Sequence, residues 1–226
     1  MTLLLFDIDG TLLRVTGGTD RAVAHAVATV TGQSVSTEGV SFSGRTDPEI
    51  FRDVLRASGV ADPAPVLEDV LGAYVEAAQQ TIRPADIELL PGIPALLSAL
   101  SERTDVFLGL LTGNVEPIAY HKLRGAGLSD VFSVGAFGSD NADRAALPSI
   151  AVRRASSRSG QSFSTPDTVI IGDTHNDIRC ARAAGSRSVV VCTGRYGRDE
   201  LEPHAPDLLL EDFRDLHAAI RGILGS

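Results

Sequence analysis

Short apolar runs ending in Gly or Asp alternate along the chain with stretches whose apolar residues recur every three or four positions. The short runs read as strands buried on both faces and the periodic stretches as helices, so the alternation predicts a parallel α/β sheet. Strands are expected at 3–6, 106–111, 134–137, 168–171, 188–191 and, more briefly, 208–210. The first runs out at Asp7, the second at Thr112-Gly113-Asn114 and the fourth at Gly172-Asp173. Helices are expected over 93–100, over 115–124 with Asn114 as its N-cap, over 144–158, over 175–184 closed by Gly185, and over about 213–220.

From about residue 15 to 88 the pattern changes and reads as helices only. Val23, Val27 and Val30 share one helical face that ends at Gly32. Asp47-Pro48 opens a second helix, with Asp47 as N-cap and Pro48 at the first helical position; Phe51, Val54 and Leu55 follow, and Gly59 stops it. A third helix is expected over about 66–80. A segment of roughly 75 residues is too long to be a loop. The chain therefore divides into an α/β core, residues 1–14 and 89–226, and an all-helical cap, residues 15–88, with hinges near 15–18 and 83–90.

Composition narrows the class. Of 226 residues, 43% are hydrophobic and 22% charged, the balance of a folded globular chain. No apolar run approaches the ~18 residues of a membrane span. The N-terminus lacks a basic, signal-like start, and two cysteines cannot make a disulfide framework; a cytoplasmic location is expected. Twenty basic against 29 acidic residues leave a net charge of −9, which disfavours a nucleic-acid partner.

In an open parallel sheet, ligands bind beyond the carboxyl ends of the strands. Asp7 and Asp9 leave the first strand, Thr112 to Asn114 the second, and Asp173 the fourth, with Asp177 in the next helix. If those strands are neighbours, several carboxylates crowd one small volume, an arrangement that calls for a cation. An all-oxygen donor set with a substrate phosphate suits Mg²⁺, and the five histidines show no paired metal spacing. An aspartate can serve as a nucleophile that becomes an aspartyl-phosphate, and a second carboxylate two residues on can protonate the leaving oxygen and then activate water. Thr112 supplies a hydroxyl, and Gly113 allows a backbone N–H to approach a phosphate.

Phe6-Asp7-Ile8-Asp9-Gly10-Thr11-Leu12, Leu111-Thr112-Gly113-Asn114 and Ile171-Gly172-Asp173-Thr174-x-x-Asp177-Ile178 together resemble the haloacid dehalogenase superfamily, in its phosphoglycolate phosphatase-like branch with a helical cap. The resemblance covers nearly the whole chain. It implies a Rossmann-like parallel-sheet core with an inserted all-helical cap, Asp7 as nucleophile and Asp9 as general acid/base. It also implies Mg²⁺ held by the Asp7 side chain, the Asp9 backbone carbonyl and Asp173, with Asp177 supporting the metal or the basic residue. Thr112 would bind the transferring phosphoryl group, with Gly10, Thr11, Gly113 and Asn114 around the substrate.

One element departs from the family pattern. Where a lysine usually precedes the fourth motif, this chain has Arg144, which is assigned the cation role. The chain's sole lysine, Lys122, lies eight residues beyond Asn114, about 12 Å along a helix at ~1.5 Å per residue, and is expected on a solvated face. Arg45, in the polar loop Ser43-Gly44-Arg45-Thr46-Asp47, is a candidate contact for the far end of a substrate.

The expected activity is Mg²⁺-dependent hydrolysis of a small phosphomonoester of the phosphoglycolate type, by a monomer or dimer with no membrane or nucleic-acid partner. A sugar-phosphate mutase of the β-phosphoglucomutase type would use the same aspartyl-phosphate. A non-catalytic regulatory protein on this core would be expected to have lost Asp7, Asp9 or Asp173; all three are present.

Overall fold

The structure, a computed structural model, describes residues 1–225. The elements in chain order are β1 (Thr2–Phe6), β2 (Leu13–Val15), α1 (Thr19–Thr31), α2 (Asp47–Ala57), α3 (Leu67–Thr81), β3 (Ile87–Leu89), α4 (Ile93–Ser101), β4 (Val106–Leu111), α5 (Glu116–Gly125), β5 (Gly135–Ala136), α6 (Leu147–Ser159), β6 (Thr168–Gly172), α7 (His175–Ala184), β7 (Arg187–Val191), α8 (Arg198–Leu201), β8 (Leu208–Leu210) and α9 (Leu216–Leu224). Six strands form one parallel sheet in the order β5-β4-β1-β6-β7-β8. β1 is central: Leu4 pairs with Leu108 of β4 on one side and Val169 of β6 on the other.

Strand side chains alternate between the two faces of the sheet. Leu4 and Phe6 pack with Leu96, Leu97 and Leu100 of α4, Leu123 of α5 and Ile223 of α9. Leu3 and Leu5 pack on the other face with Leu147, Ala151 and Ala155 of α6 and Ala181 of α7. Helices cover both faces, which is why the strands read as continuous apolar runs.

Between β2 and β3, α1, α2 and α3 form their own cluster, built from Val23 and Val27, from Phe51, Val54 and Leu55, and from Val70, Tyr74 and Ala78. The rings of Phe51 and Tyr74 lie 4.8 Å apart. Val115, which precedes α5, and Ile118 on it join this cluster, so α5 is shared between the core and the insert.

Several local expectations need correction. The stretches read as hinges contain a two-stranded antiparallel ribbon, β2 with β3, at the base of the insert. Its strands have three residues each, too few to show alternation. Asn114 does not cap α5; Val115 is the N-cap, and Asn114 turns its amide elsewhere. Asp47 is the first residue of α2 rather than its cap, and its carboxylate accepts from the Val115 N–H at 2.8 Å. The last helix starts at Leu216 behind an Asp215 cap, while Phe213 is buried in the core. Among the described residues, no helix is long and apolar enough to cross a membrane.

Candidate active site

Because β4 and β6 flank β1, the three strand ends singled out in the sequence are adjacent. Asp7, Thr112 and Asp173 are buried at the floor of a cavity of about 640 Å³, with Asp9, Gly10, Gly113, Asn114 and Arg144 also on its wall. The Asp7 N–H bonds the Ile171 carbonyl at 2.8 Å, so the residue continues the strand ladder and its carboxylate is held at the sheet's edge. Ile8 N–H donates to Asp7 Oδ1 at 2.7 Å.

Asp7, Asp173 and Asp177 each place a carboxylate oxygen within 4.8 Å of the others. Burial pushes Asp7 up to about 6, against the pull of Arg144, and Asp177 adds to the rise. Burial, then the neighbouring Asp177 and Asp7, push Asp173 well above the usual carboxylate range. Three crowded, buried carboxylates with a single guanidinium among them are electrostatically under-compensated, and an all-oxygen donor set of this kind fits a hard divalent cation.

Arg144 bridges two members of that cluster. It is buried, its Nη2 lies 3.0 Å from Asp7 Oδ2 and 2.5 Å from Asp177 Oδ1, and its Nε has no hydrogen-bond partner among the described residues. Burial works against the guanidinium charge; Asp177 and Asp7 outweigh it and hold Arg144 fully charged. Asp143 fixes the residue's position by capping the short 3₁₀ turn Arg144–Ala146 before α6. Asp177 uses both oxygens structurally: Oδ1 accepts from Arg144, and Oδ2 accepts from the Thr174 N–H at 3.0 Å and its hydroxyl at 2.7 Å in a capping box at the start of α7.

Two glycines make room here. A Cβ on Gly10, which has φ of +82°, would strike the Asp173 carboxylate, and one on Gly113 would strike the Arg45 carbonyl of the insert's loop. Gly113 thus admits the insert: Asp47 N–H donates to its carbonyl at 2.7 Å. Thr11 is buried beneath the floor rather than lining it, and donates its hydroxyl to Asp173 Oδ1 at 3.3 Å.

Arg45 lies on the cavity wall, and Lys122 stands differently from its expected place. The Arg45 guanidinium faces acids of its own insert, Asp53 at 2.9 Å and Glu49 at 3.9 Å, and donates to the Ser41 carbonyl at 3.2 Å. Lys122, expected on a solvated face, is buried in the site, with its Nζ 2.6 Å from Asp9 Oδ2 and 2.7 Å from Asn114 Oδ1. Helical side chains lean toward the N-terminus, and a lysine stem recovers much of the distance that counting rise along the axis assigned to it. The signal was present in the sequence: Val115, Ile118 and Lys122 recur at helical spacing, and the first two are buried. Phe51, expected only as a core residue, also walls the cavity, together with Ile50 and Tyr74, which no sequence motif singles out.

The haloacid dehalogenase-like hydrolase model matches residues 4–191. The chain belongs to that family. The hydrolase is 26% identical over 220 residues to a phosphoglycolate phosphatase of Pectobacterium atrosepticum, covering 94% of this chain and 89% of that one. It is 29% identical over 226 residues to a phosphoglycolate phosphatase of Synechococcus elongatus, covering 99% of both. In fold it is similar to a β-phosphoglucomutase of Clostridium difficile, with TM-score 0.70 and 21% identity over 100% of this chain and 97% of that one. Family and strand-end carboxylates together make this chain an enzyme of phosphatase type.

Proposed function

We propose that the hydrolase cleaves a small phosphomonoester of the phosphoglycolate type through an aspartyl-phosphate on Asp7, with residues 15–88 acting as a cap domain over the site. The carrying observation is the pair of Asp7 and Arg144: a buried carboxylate at the end of the central strand, beside a buried guanidinium whose Nε–H is uncommitted. An oxygen of the transferring phosphoryl group would satisfy that donor, as guanidinium and phosphate are matched for such contacts.

Asp7 attacks phosphorus as the bond from phosphorus to the leaving oxygen breaks, and Asp9 gives that oxygen a proton. Asp9 then takes a proton from water as the water oxygen attacks phosphorus. The bond to Asp7 breaks, and inorganic phosphate leaves with the Asp7 carboxylate restored. Arg144 and the Thr112 hydroxyl stabilise charge on the non-bridging oxygens. The carboxylates of Asp7 and Asp173, with the Asp9 carbonyl, would hold Mg²⁺, while Asp177 keeps Arg144 in place. When bound, the ion supplies positive charge that offsets the crowded carboxylates and the substrate phosphate.

The leaving group would lie under the insert, in a chamber walled by Val23, Ile50, Phe51 and Tyr74, with Arg14, Arg45 and Arg195 as the cations on its wall. That mixture suits a short anionic alcohol, and the phosphoglycolate phosphatases among the relatives support the same choice. Two unpaired cysteines suit a cytoplasmic enzyme.

The test is phosphate release from a panel of small esters, phosphoglycolate included, with Mg²⁺ and with chelator, for wild type and Asp7→Asn. Metal-dependent release that disappears in the variant is expected. Movement of the phosphoryl group between hydroxyls of a sugar phosphate, with no free phosphate, would replace the reading with a mutase. No turnover of any ester would remove both.

A further inference from the structure

The site holds two buried cations, and only one touches the nucleophile. Arg144 pairs with Asp7 and Asp177. Lys122 pairs with Asp9, across the cavity floor on α5. Burying an ammonium is costly unless it is paired and hydrogen-bonded, so a lysine in this position has to be held by specific partners.

Those partners form a short network. Asp9 Oδ2 accepts two bonds, from Lys122 Nζ at 2.6 Å and from Asn114 Nδ2 at 2.7 Å. Lys122 also donates to Asn114 Oδ1 at 2.7 Å, which fixes the orientation of that amide. The same Asn114 Nδ2 reaches Thr112 Oγ at 2.9 Å. Both donors therefore grip one oxygen of Asp9, and the carboxylate is tied to the end of β4 and to α5. Oδ1 takes no part in the network.

We infer that Lys122, with Asn114, is a positioning residue that clamps Asp9 by Oδ2 and presents Oδ1 as the oxygen that exchanges the proton with the leaving group and with water. The inference rests on the proposed phosphatase reading. It divides the electrostatic work of the site: Arg144 serves the nucleophile and the phosphoryl group, Lys122 the acid/base. In a chain with one lysine, that residue stands where the two half-reactions need an oriented carboxylate.

Two measurements test it. The first uses the leaving group. An alkoxide needs a proton as it departs, whereas nitrophenolate leaves without one, and kcat/KM reports only steps up to that departure. Lys122→Met is expected to lower kcat/KM for phosphoglycolate by on the order of 100-fold, the scale of general acid catalysis. For p-nitrophenyl phosphate kcat/KM should change little, with a burst of nitrophenolate followed by slow turnover, because water activation still needs Asp9. Equal losses on both esters would show a merely structural lysine and overturn the inference. So would a loss on phosphoglycolate confined to KM with the single-turnover rate intact, which would make Lys122 a substrate contact.

The second measurement needs no activity. With ¹⁵N-labelled lysine the protein has a single side-chain ammonium. A protected ammonium resonance near neutral pH, shifted and broadened in Asp9→Ala, is expected. An ammonium that exchanges as fast as free lysine in the wild type would overturn the pairing. If the wild type turned over no ester, the phosphatase reading would fall and the positioning role with it, whatever the resonance showed. An active wild type with uniform losses in Lys122→Met would sink the positioning role alone.

Discussion

Asp47 shows how one side chain can set the pH response of the interface between insert and core. Its carboxylate is partly buried, accepts from the Val115 N–H, and faces Lys122, Asp9 and the Tyr74 hydroxyl. Burial pushes it up to about 6 from its ordinary 3.8, with Lys122 and the Val115 bond pulling down and Asp9 adding to the rise. An acid whose folded pKa is raised keeps its proton longer in the folded state, so folding is favoured at low pH. Stability contributed by Asp47 should be full below about pH 4 and fall as pH rises toward 6. The deficit at pH 7 is on the order of 3 kcal/mol by the usual conversion of pKa shifts. Asp47→Asn keeps an acceptor for Val115 and removes the charge. Denaturant unfolding is expected to show the variant more stable than wild type at pH 7 and equal to it near pH 4. Equal stability at both would show that Asp47 is not strained by its burial.

At the scale of elements, the strands were the most legible part of the sequence. β4 and β8 fall where the apolar runs place them, because a strand covered on both faces has no polar alternation to blur its ends. The helix α7 is equally plain, with Thr174 and Asp177 closing a capping box at one end and Gly185 in the left-handed region at the other. What escaped were features decided by tertiary contact. β2 and β3 are three residues long and exist because the insert needs a two-stranded base. β5 shrinks to Gly135–Ala136 at the sheet's edge, where β4 is its only neighbour. Asn114 has a good N-cap side chain, yet it is drawn from the helix end by Asp9 and Lys122. The same tension applied within the site. Asp7, Thr112 and Asp173 were readable because strand ends collect ligands, and Arg144 because it stands where the resembled family carries a lysine. Lys122 reaches the site because its side chain runs back toward the start of α5, which distance along the helix axis does not express.

For the molecule as a whole, the insert is fastened over the core by polar contacts around the cavity. Thr46 Oγ donates to the Ala142 carbonyl at 2.7 Å, and Asn176 Nδ2 to the Ser43 carbonyl at 3.2 Å. Gly44, with φ of +66°, sits where a Cβ would strike the Thr174 hydroxyl, so the loop at residues 43–47 can lie against α7 only without one. The crowded carboxylates of Asp7, Asp173 and Asp177 mean that a divalent ion should stabilise the folded chain. Mg²⁺ at a hundred times its dissociation constant contributes about 2.7 kcal/mol. For a chain of this size that raises the thermal midpoint by about 5–10 °C. Scanning calorimetry should show the rise in wild type and lose it in Asp173→Asn. A wild-type midpoint indifferent to Mg²⁺ would count against the metal assignment.

The central claim is that Asp7 becomes phosphorylated, and it can be read directly. Wild-type enzyme mixed with phosphoglycolate and Mg²⁺, quenched in acid within the first turnover and digested, should yield the peptide containing Asp7 with the added mass of one phosphoryl group. Asp7→Asn treated alike should yield none. Phosphate release by the wild type with no modified Asp7 peptide at any quench time, while the variant remained active, would mean that water attacks the ester directly and that Asp7 is not the nucleophile.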